Sequence, residues 1–238
     1  MKKAGAILVG AMEILQREII PGVSAHKLDR DACDYIIESG GKPAFLGFND
    51  YRYTTCISVN NEVIHGLPLR DKFLEEGDIV SIDIGCSYKG YFADMGKTFP
   101  VGKVTEKRKF LIEVTKKALS IGVKSVKVGS HIGDIGFAIQ TFVEEKGFSV
   151  VKSFVGHGIG LKLHEEPQIP NFGERGSGDI IREGMALAIE PMVNFGSDEI
   201  LVLSDGWTVV TKDGNDSAHF EHTIFVRDRT VEILTFPS

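Results

Sequence analysis

The chain has 238 residues, 42% of them hydrophobic, with 27 Lys and Arg against 33 Asp and Glu. That length and apolar content fit one soluble globular domain with a sizeable core, and the net charge of −6 argues against nucleic acid as the main partner. Three cysteines, Cys33, Cys56 and Cys86, form no CxxC pair and no even framework, which fits a reducing, cytoplasmic setting.

The first helix is expected over 3–17. Residues 1–12 superficially resemble a secretory signal, but Glu13, Arg17 and Glu18 follow at once and no small-residue cleavage site is evident. The run therefore reads as an amphipathic helix. No other segment approaches transmembrane length, so no membrane partner is expected. After a break at Pro21 and Gly22, a second helix is expected over 26–38. Strands follow near 53–58, 79–85 and 91–98. Two further helices are expected over 107–121 and 132–146, separated by a break at Lys127-Val-Gly129. Strands close the chain near 150–154, 184–190, 200–203, 207–211, 219–226 and 231–235. The stretch Asn171-Phe-Gly-Glu-Arg-Gly-Ser-Gly178 is rich in glycine, but no Walker lysine follows, so it reads as a surface turn.

Five residues on strand-like segments carry metal-ligand chemistry: Asp83, Asp94, His157, Glu190 and Glu221. In the run 79–84, Val80, Ile82 and Ile84 alternate with Ser81 and Asp83, which points Asp83 away from the apolar face. A two-residue turn after Tyr88 would bring Asp94 onto the same sheet face, directly or diagonally opposite Asp83. Two carboxylates so close repel unless protonated or bridged by a cation. Ala186, Ala188 and Glu190 repeat the alternation, and Glu221 lies in another strand-like run. His157 stands between glycines, where backbone can approach a site closely and imidazole suits a transition metal.

An internal repeat accompanies these acids. A shift of 107 residues (190 − 83) sets Asp83 on Glu190, Gly22 on Gly129, Gly40 on Gly147, Glu76 on Glu183, Gly77 on Gly184 and Ile82 on Ile189. Helix 26–38 falls on helix 132–146. The period is too long for a solenoid and reads as a duplicated α/β unit, each half giving strand carboxylates to a shared centre.

Stretches along nearly the whole chain resemble the type I methionine aminopeptidases. They are Cys56-Ile-Ser-Val-Asn60, His65-Gly-Leu-Pro68, Gly77-Asp-Ile-Val-Ser-Ile-Asp-Ile-Gly85, Asp94, Gly156-His-Gly-Ile-Gly160, His164-Glu-Glu-Pro-Gln168, Ala188-Ile-Glu-Pro-Met192, Asp205-Gly-Trp-Thr208 and Phe220-Glu-His-Thr223. The resemblance implies an α+β pita-bread fold, shared with prolidases and creatinases. One catalytic metallopeptidase domain would span 1–238, its two pseudo-symmetric halves (about 1–106 and 107–238) arranged around an antiparallel sheet. It also implies two divalent metal ions (Mn, Fe(II), Co or Zn), with Asp94 and Glu221 bridging both, Asp83 completing one, and His157 with Glu190 the other. A monovalent cation near Asn60 and Ser217 is a further implication.

The implied activity is removal of N-terminal methionine from nascent proteins and peptides with a small second residue. Two metals lower the pKa of a water held between them, and the resulting hydroxide would attack the first peptide bond. Glu190 would move the proton to the leaving amine, His164 would stabilise the carbonyl oxygen, and His65 would contact the scissile amide. Phe48, Tyr51, Cys56, Leu163 and Trp207, with His65 and His164, would line the substrate pocket, whose apolar, polarizable character suits a thioether. The expected partners are nascent polypeptide N-termini, at the ribosome among other places, acted on by a monomer.

Three positions depart from relatives: Leu163 where an aromatic is frequent, Arg52 where some have proline, and His219 where many have glutamine. Prolidases and aminopeptidase P share the ligands but carry an additional N-terminal domain, for which there is no room before Met1. A pita-bread binding protein without metal would lack one or more of the five ligands. Oxygen-activating di-iron proteins place theirs on helices.

Overall fold

The computed structural model describes residues 1–228 and 230–236. Helix α1 (Lys2–Glu18) buries Ala4, Ile7, Leu8, Ala11, Met12 and Leu15 on one face, the three-and-four spacing of an amphipathic helix. Helix α2 (Ala25–Glu38) begins at Ser24, whose side chain accepts the Lys27 N–H. Both helices cover a sheet of β1 (Lys42–Pro43), β2 (Thr55–Val59), β4 (Ile79–Tyr88) and β5 (Tyr91–Pro100), in which β4 pairs with the other three. Val80, Ile82 and Ile84 of β4 enter the same core as α1 and α2. The β4–β5 hairpin closes through Lys89 and Gly90, both at positive φ (52° and 82°), as a two-residue turn matched to strand twist requires.

Helices α3 (Glu106–Ser125) and α4 (Ile132–Glu145) pack a second core with Leu187, Ile189 and Ile224. Its five-stranded sheet has the order β15 (Val231–Ile233), β14 (His222–Val226), β9 (Ala186–Ile189), β7 (Gly156–Gly158), β8 (Glu165–Ile169). A three-stranded sheet joins β13 (Ser217–His219), β10 (Met192–Asn194) and β6 (Ser149–Val150). Another joins β11 (Ile200–Val202), β12 (Val209–Thr211) and β3 (Glu62–Ile64). Every strand pairing is antiparallel. The elements make an α+β frame, in which no helix among the described residues is long and apolar enough to cross a membrane. All three cysteines are free thiols.

At the offset of 107, α2 falls on α4 residue for residue (25 + 107 = 132; 38 + 107 = 145). The bridge Ser24↔Phe73 maps onto His131↔Ile180. The bond from Gly22 N–H to the Leu74 carbonyl maps onto that from Gly129 N–H to Ile181. Gly22 and Gly129 share a φ near 88°, at 89° and 87°, and Gly40 and Gly147 share 80°.

Some elements differ from expectation. The strand expected over 150–154 is only Ser149–Val150. Lys152 and Ser153 beyond it are exposed, and the chain turns there so that Phe154 faces the cavity described below. The run 219–226 is interrupted at Phe220 and Glu221, because the Glu221 N–H donates to the Gly96 carbonyl of β5 instead of continuing a ladder. Strands β7 and β8 escape a propensity reading, one being Gly-His-Gly and the other containing Pro167. Helix α3 runs on to Ser125, past the expected end at 121.

Candidate metal centre

Asp83 pairs with Gly96 and Asp94 with Gly85 across the β4–β5 hairpin, so the two acids are diagonal neighbours on one face. Ile82 and Ile84 hold the other face against the helices, and Ser81, on the acid side, is satisfied by the Thr98 hydroxyl at 2.8 Å. Asp94 is fixed further by Thr223. That hydroxyl accepts the Asp94 N–H and donates to the Asp94 carbonyl, each at 2.8 Å.

The second sheet delivers the rest. His157 on β7 lies opposite Ala188 of β9, and β14 pairs His222 with Ile189. Glu221 and Glu190 flank that last pair, one residue before His222 and one after Ile189. His157 Nδ1 is 2.9 Å from the Gly158 carbonyl, so Nδ1 carries the proton as donor and the Nε2 lone pair faces the acids. Nε2 is 3.7 Å from Glu190 Oε1 and 4.0 Å from Asp94 Oδ2. Asp94, His157 and Glu221 each offer a donor atom within 4.8 Å of the others. Asp83 and Glu190 line the same cavity as these three. All five sequence-derived candidates thus meet at one place.

Electrostatics marks the cluster as unfinished without a cation. Burial raises the Asp83 carboxyl to about 7. Burial, and then the neighbouring carboxylates, push Asp94, Glu190 and Glu221 well above the ordinary range. Burial, with His164 adding to it, lowers His157 to about 4 and leaves the imidazole neutral. Asp83 Oδ1 and Glu221 Oε1 are buried without a hydrogen-bond partner. Of the cavity-lining residues described, the one cationic side chain is Lys162, exposed at the rim. Oxygen-rich donors, one neutral imidazole and orphaned carboxylate atoms fit a divalent transition metal.

The cluster floors a cavity of about 840 Å³. Phe48, Tyr51, Cys56, His65, Leu163, His164 and Trp207, the residues the resemblance assigns to a substrate pocket, all line it. Tyr51 meets Trp207 edge-on with ring centroids 4.8 Å apart, and its hydroxyl donates to the Thr55 carbonyl. Leu163 is buried with Phe45, Tyr51 and Cys56. The His164 ring lies 4.3 Å from that of His157 and 5.0 Å from that of Phe48. His65 sits in the left-handed region at φ 56°. Its successor holds it there, for Gly66 donates to Ser58 Oγ at 3.0 Å and accepts the Ile57 N–H at 2.7 Å. Burial lowers His65 to about 4 and also lowers His164.

Sequence reasoning missed Phe45 and Phe154 in the lining, the latter edge-on to His65 at 5.6 Å. An aromatic directly before Val155-Gly156 was the available signal. Of the departures, Leu163 lies in the pocket wall, Arg52 is exposed and outside the lining, and the His219 ring is buried against Gly96 with Nε2 unpartnered. The Ser217 N–H donates to the Asn60 carbonyl, so those two residues do meet.

An antiparallel α+β frame with carboxylates and one imidazole converging under an apolar cavity defines a metal-dependent hydrolase. The model of Metallopeptidase family M24 matches residues 1–228, and the chain belongs to that family. Methionine aminopeptidase 1 of Bacillus subtilis is 46% identical over 99% of this chain and 94% of its own. The crystal structure of methionine aminopeptidase from Thermotoga maritima superposes with a TM-score of 0.98 at 46% identity, covering 100% of this chain and 95% of that one. Prolidase from Pyrococcus horikoshii follows the whole of this chain at a TM-score of 0.80 and 25% identity, but the match spans 61% of its own length. The fold is therefore the pita-bread fold these proteins share.

Proposed function

We infer that this protein is a methionyl aminopeptidase, a metal-dependent hydrolase that removes N-terminal methionine from nascent proteins and peptides with a small second residue. The observation that carries the reading is the juxtaposition of five ligand-type side chains with an apolar slot walled by Tyr51, Cys56, Leu163 and Trp207. Asp83, Asp94, His157, Glu190 and Glu221 would hold two divalent ions, drawn from Mn, Fe(II), Co or Zn; when bound, such ions polarise a carbonyl and bring the pKa of water towards neutrality.

The chain's own groups do the rest. The neutral His164 ring donates to the carbonyl oxygen as charge develops there. Glu190 takes a proton from water and passes it to the leaving amine. His65, held by Gly66, contacts the scissile amide. The aromatic and thiol wall accepts the thioether by dispersion, and the crowded acidic floor leaves little room for the second side chain. The halves 1–106 and 107–238 act as one catalytic domain, a cytoplasmic monomer working on polypeptide N-termini, including at the ribosome. A monovalent cation would sit beside Asn60, in the turn after β2, and Ser217, at the start of β13.

Met-Ala-Ser and Met-Phe-Ser peptides assayed with Mn or Co test the specificity. Met-Ala-Ser is expected to be cleaved and Met-Phe-Ser spared. Equal cleavage of both, or faster release of residues preceding proline, would sink the assignment.

A further inference from the structure

Asp29 is a buried acid that does not line the cavity, 6% exposed in the second turn of α2. Its Oδ1 accepts three hydrogen bonds from one short segment: the Thr54 N–H at 2.9 Å, and the Thr55 N–H and Thr55 hydroxyl at 2.8 Å each. Burial raises its carboxyl and these donors offset part of that rise, so the acid is kept where it is costly and is bound to that segment.

The segment leads directly into the cavity wall. The Thr55 carbonyl accepts the Tyr51 hydroxyl at 2.8 Å, and Tyr51 stands edge-on against Trp207. The next residue, Cys56, lies opposite Asp83 in the sheet register. The other half of the molecule dispenses with this acid. The position offset by 107 (29 + 107 = 136) is Gly136, where a Cβ would stand 2.2 Å from the Phe172 carbonyl oxygen. Helix α4 meets its loop through bare backbone, so the fold itself does not demand a carboxylate here.

We propose that Asp29 is a positioning residue for the methionine slot: its carboxylate clamps residues 54 and 55 so that Tyr51 and Cys56 form a fixed wall against Trp207. The proposal rests on the aminopeptidase reading, but one of its tests does not. Trp207 is the single tryptophan, so its emission in peptide-free protein reports the wall directly.

Asp29→Ala, Asp29→Asn and Thr55→Val are to be compared for Trp207 emission, acrylamide quenching, bound Mn, and KM and kcat on Met-Ala-Ser. Asn keeps an Oδ1 acceptor facing the same three donors; Val removes the hydroxyl donor alone. Asp29→Ala is expected to red-shift and expose Trp207 and to raise KM about tenfold, with kcat changed less than about threefold and Mn content kept. Asn is expected to restore both readouts, and Thr55→Val to move them part of the way. Should Asp29→Ala not fold, the Asn and Val variants decide on the same readouts. Wild-type emission and KM in Thr55→Val, loss of Mn in step with activity, or an Asn variant that does not restore the wall overturns the proposal. A wild-type enzyme that ignores Met-Ala-Ser would instead overturn the aminopeptidase reading, leaving the emission result to stand for Asp29.

Discussion

Two histidines lie 4.3 Å apart, ring to ring, and the proposed reaction gives them different work. His157 is buried, and its Nδ1 is committed to the Gly158 carbonyl, so only Nε2 can face the acids. His164 is open to the cavity, and burial still lowers its pKa, so at neutral pH it is an uncharged donor. Removing it should cost the transition state and not the metal. His164→Ala is expected to lower kcat about 10²- to 10³-fold, the usual cost of one such donor, while Mn or Co content stays near wild type. Metal analysis beside single-turnover rates checks this. Metal lost in proportion to rate would make His164 a ligand and overturn its role as donor.

At the level of elements, the β4–β5 hairpin sets the site, and Gly96 is one of its tightest fits. A Cβ there would stand 2.7 Å from His219 Cε1, and the Gly96 carbonyl accepts the Glu221 N–H at 2.8 Å. Gly96→Ala is therefore expected to push His219 aside, displace Glu221 and cost about 1–3 kcal/mol of stability as overpacking does. Metal titration by calorimetry should show weakened binding; unchanged affinity would mean that the ring yields without moving Glu221. This geometry also separates what the sequence reveals from what it hides. Asp83 and Asp94 could be placed because strand alternation and a two-residue turn are local. The four helices could be placed because their apolar faces repeat. The break at Phe220 and Glu221 could not, since its cause is a carbonyl more than a hundred residues away. Nor could the Asp29 contact, which joins a helix to the start of β2, 25 and 26 residues on, or the Gly-His-Gly strand that carries a candidate ligand without strand propensity.

Across the whole molecule, the halves meet through side-chain bonds that frame the cluster. Thr223 bonds Asp94, and Thr98 Oγ1 both accepts the His219 N–H at 2.9 Å and donates to the His219 carbonyl at 2.8 Å. Each half thus gives carboxylates to a buried point, and without a cation that point opposes the fold as they ionise. The sign follows from linkage. Carboxyls whose folded pKa is raised, to about 7 for Asp83 against an ordinary 3.8, hold more protons folded than unfolded. Their favourable contribution is complete below the ordinary carboxylate pKa and is lost as pH rises through the folded value. The buried histidines act oppositely: His65, His157 and His222 lie near 4 and His219 near 3, so they favour the fold as pH rises towards 6.5. These rings are neutral with or without metal, so the histidine effect cancels in the difference between loaded and chelated protein. That difference in Tm is the quantity to measure, at pH 5.5 and pH 8, with Mn and with chelator. It is expected to widen with pH, because ligand ionisation both weakens the chelated fold and strengthens metal binding. Saturating one site at 100 times its Kd adds about 2.7 kcal/mol. Glu221→Gln, which removes one charge from the cluster, should narrow the difference at pH 8 and change it little at pH 5.5. A gap that stays constant or shrinks from pH 5.5 to 8 would show that the two halves are held together without help from a cation.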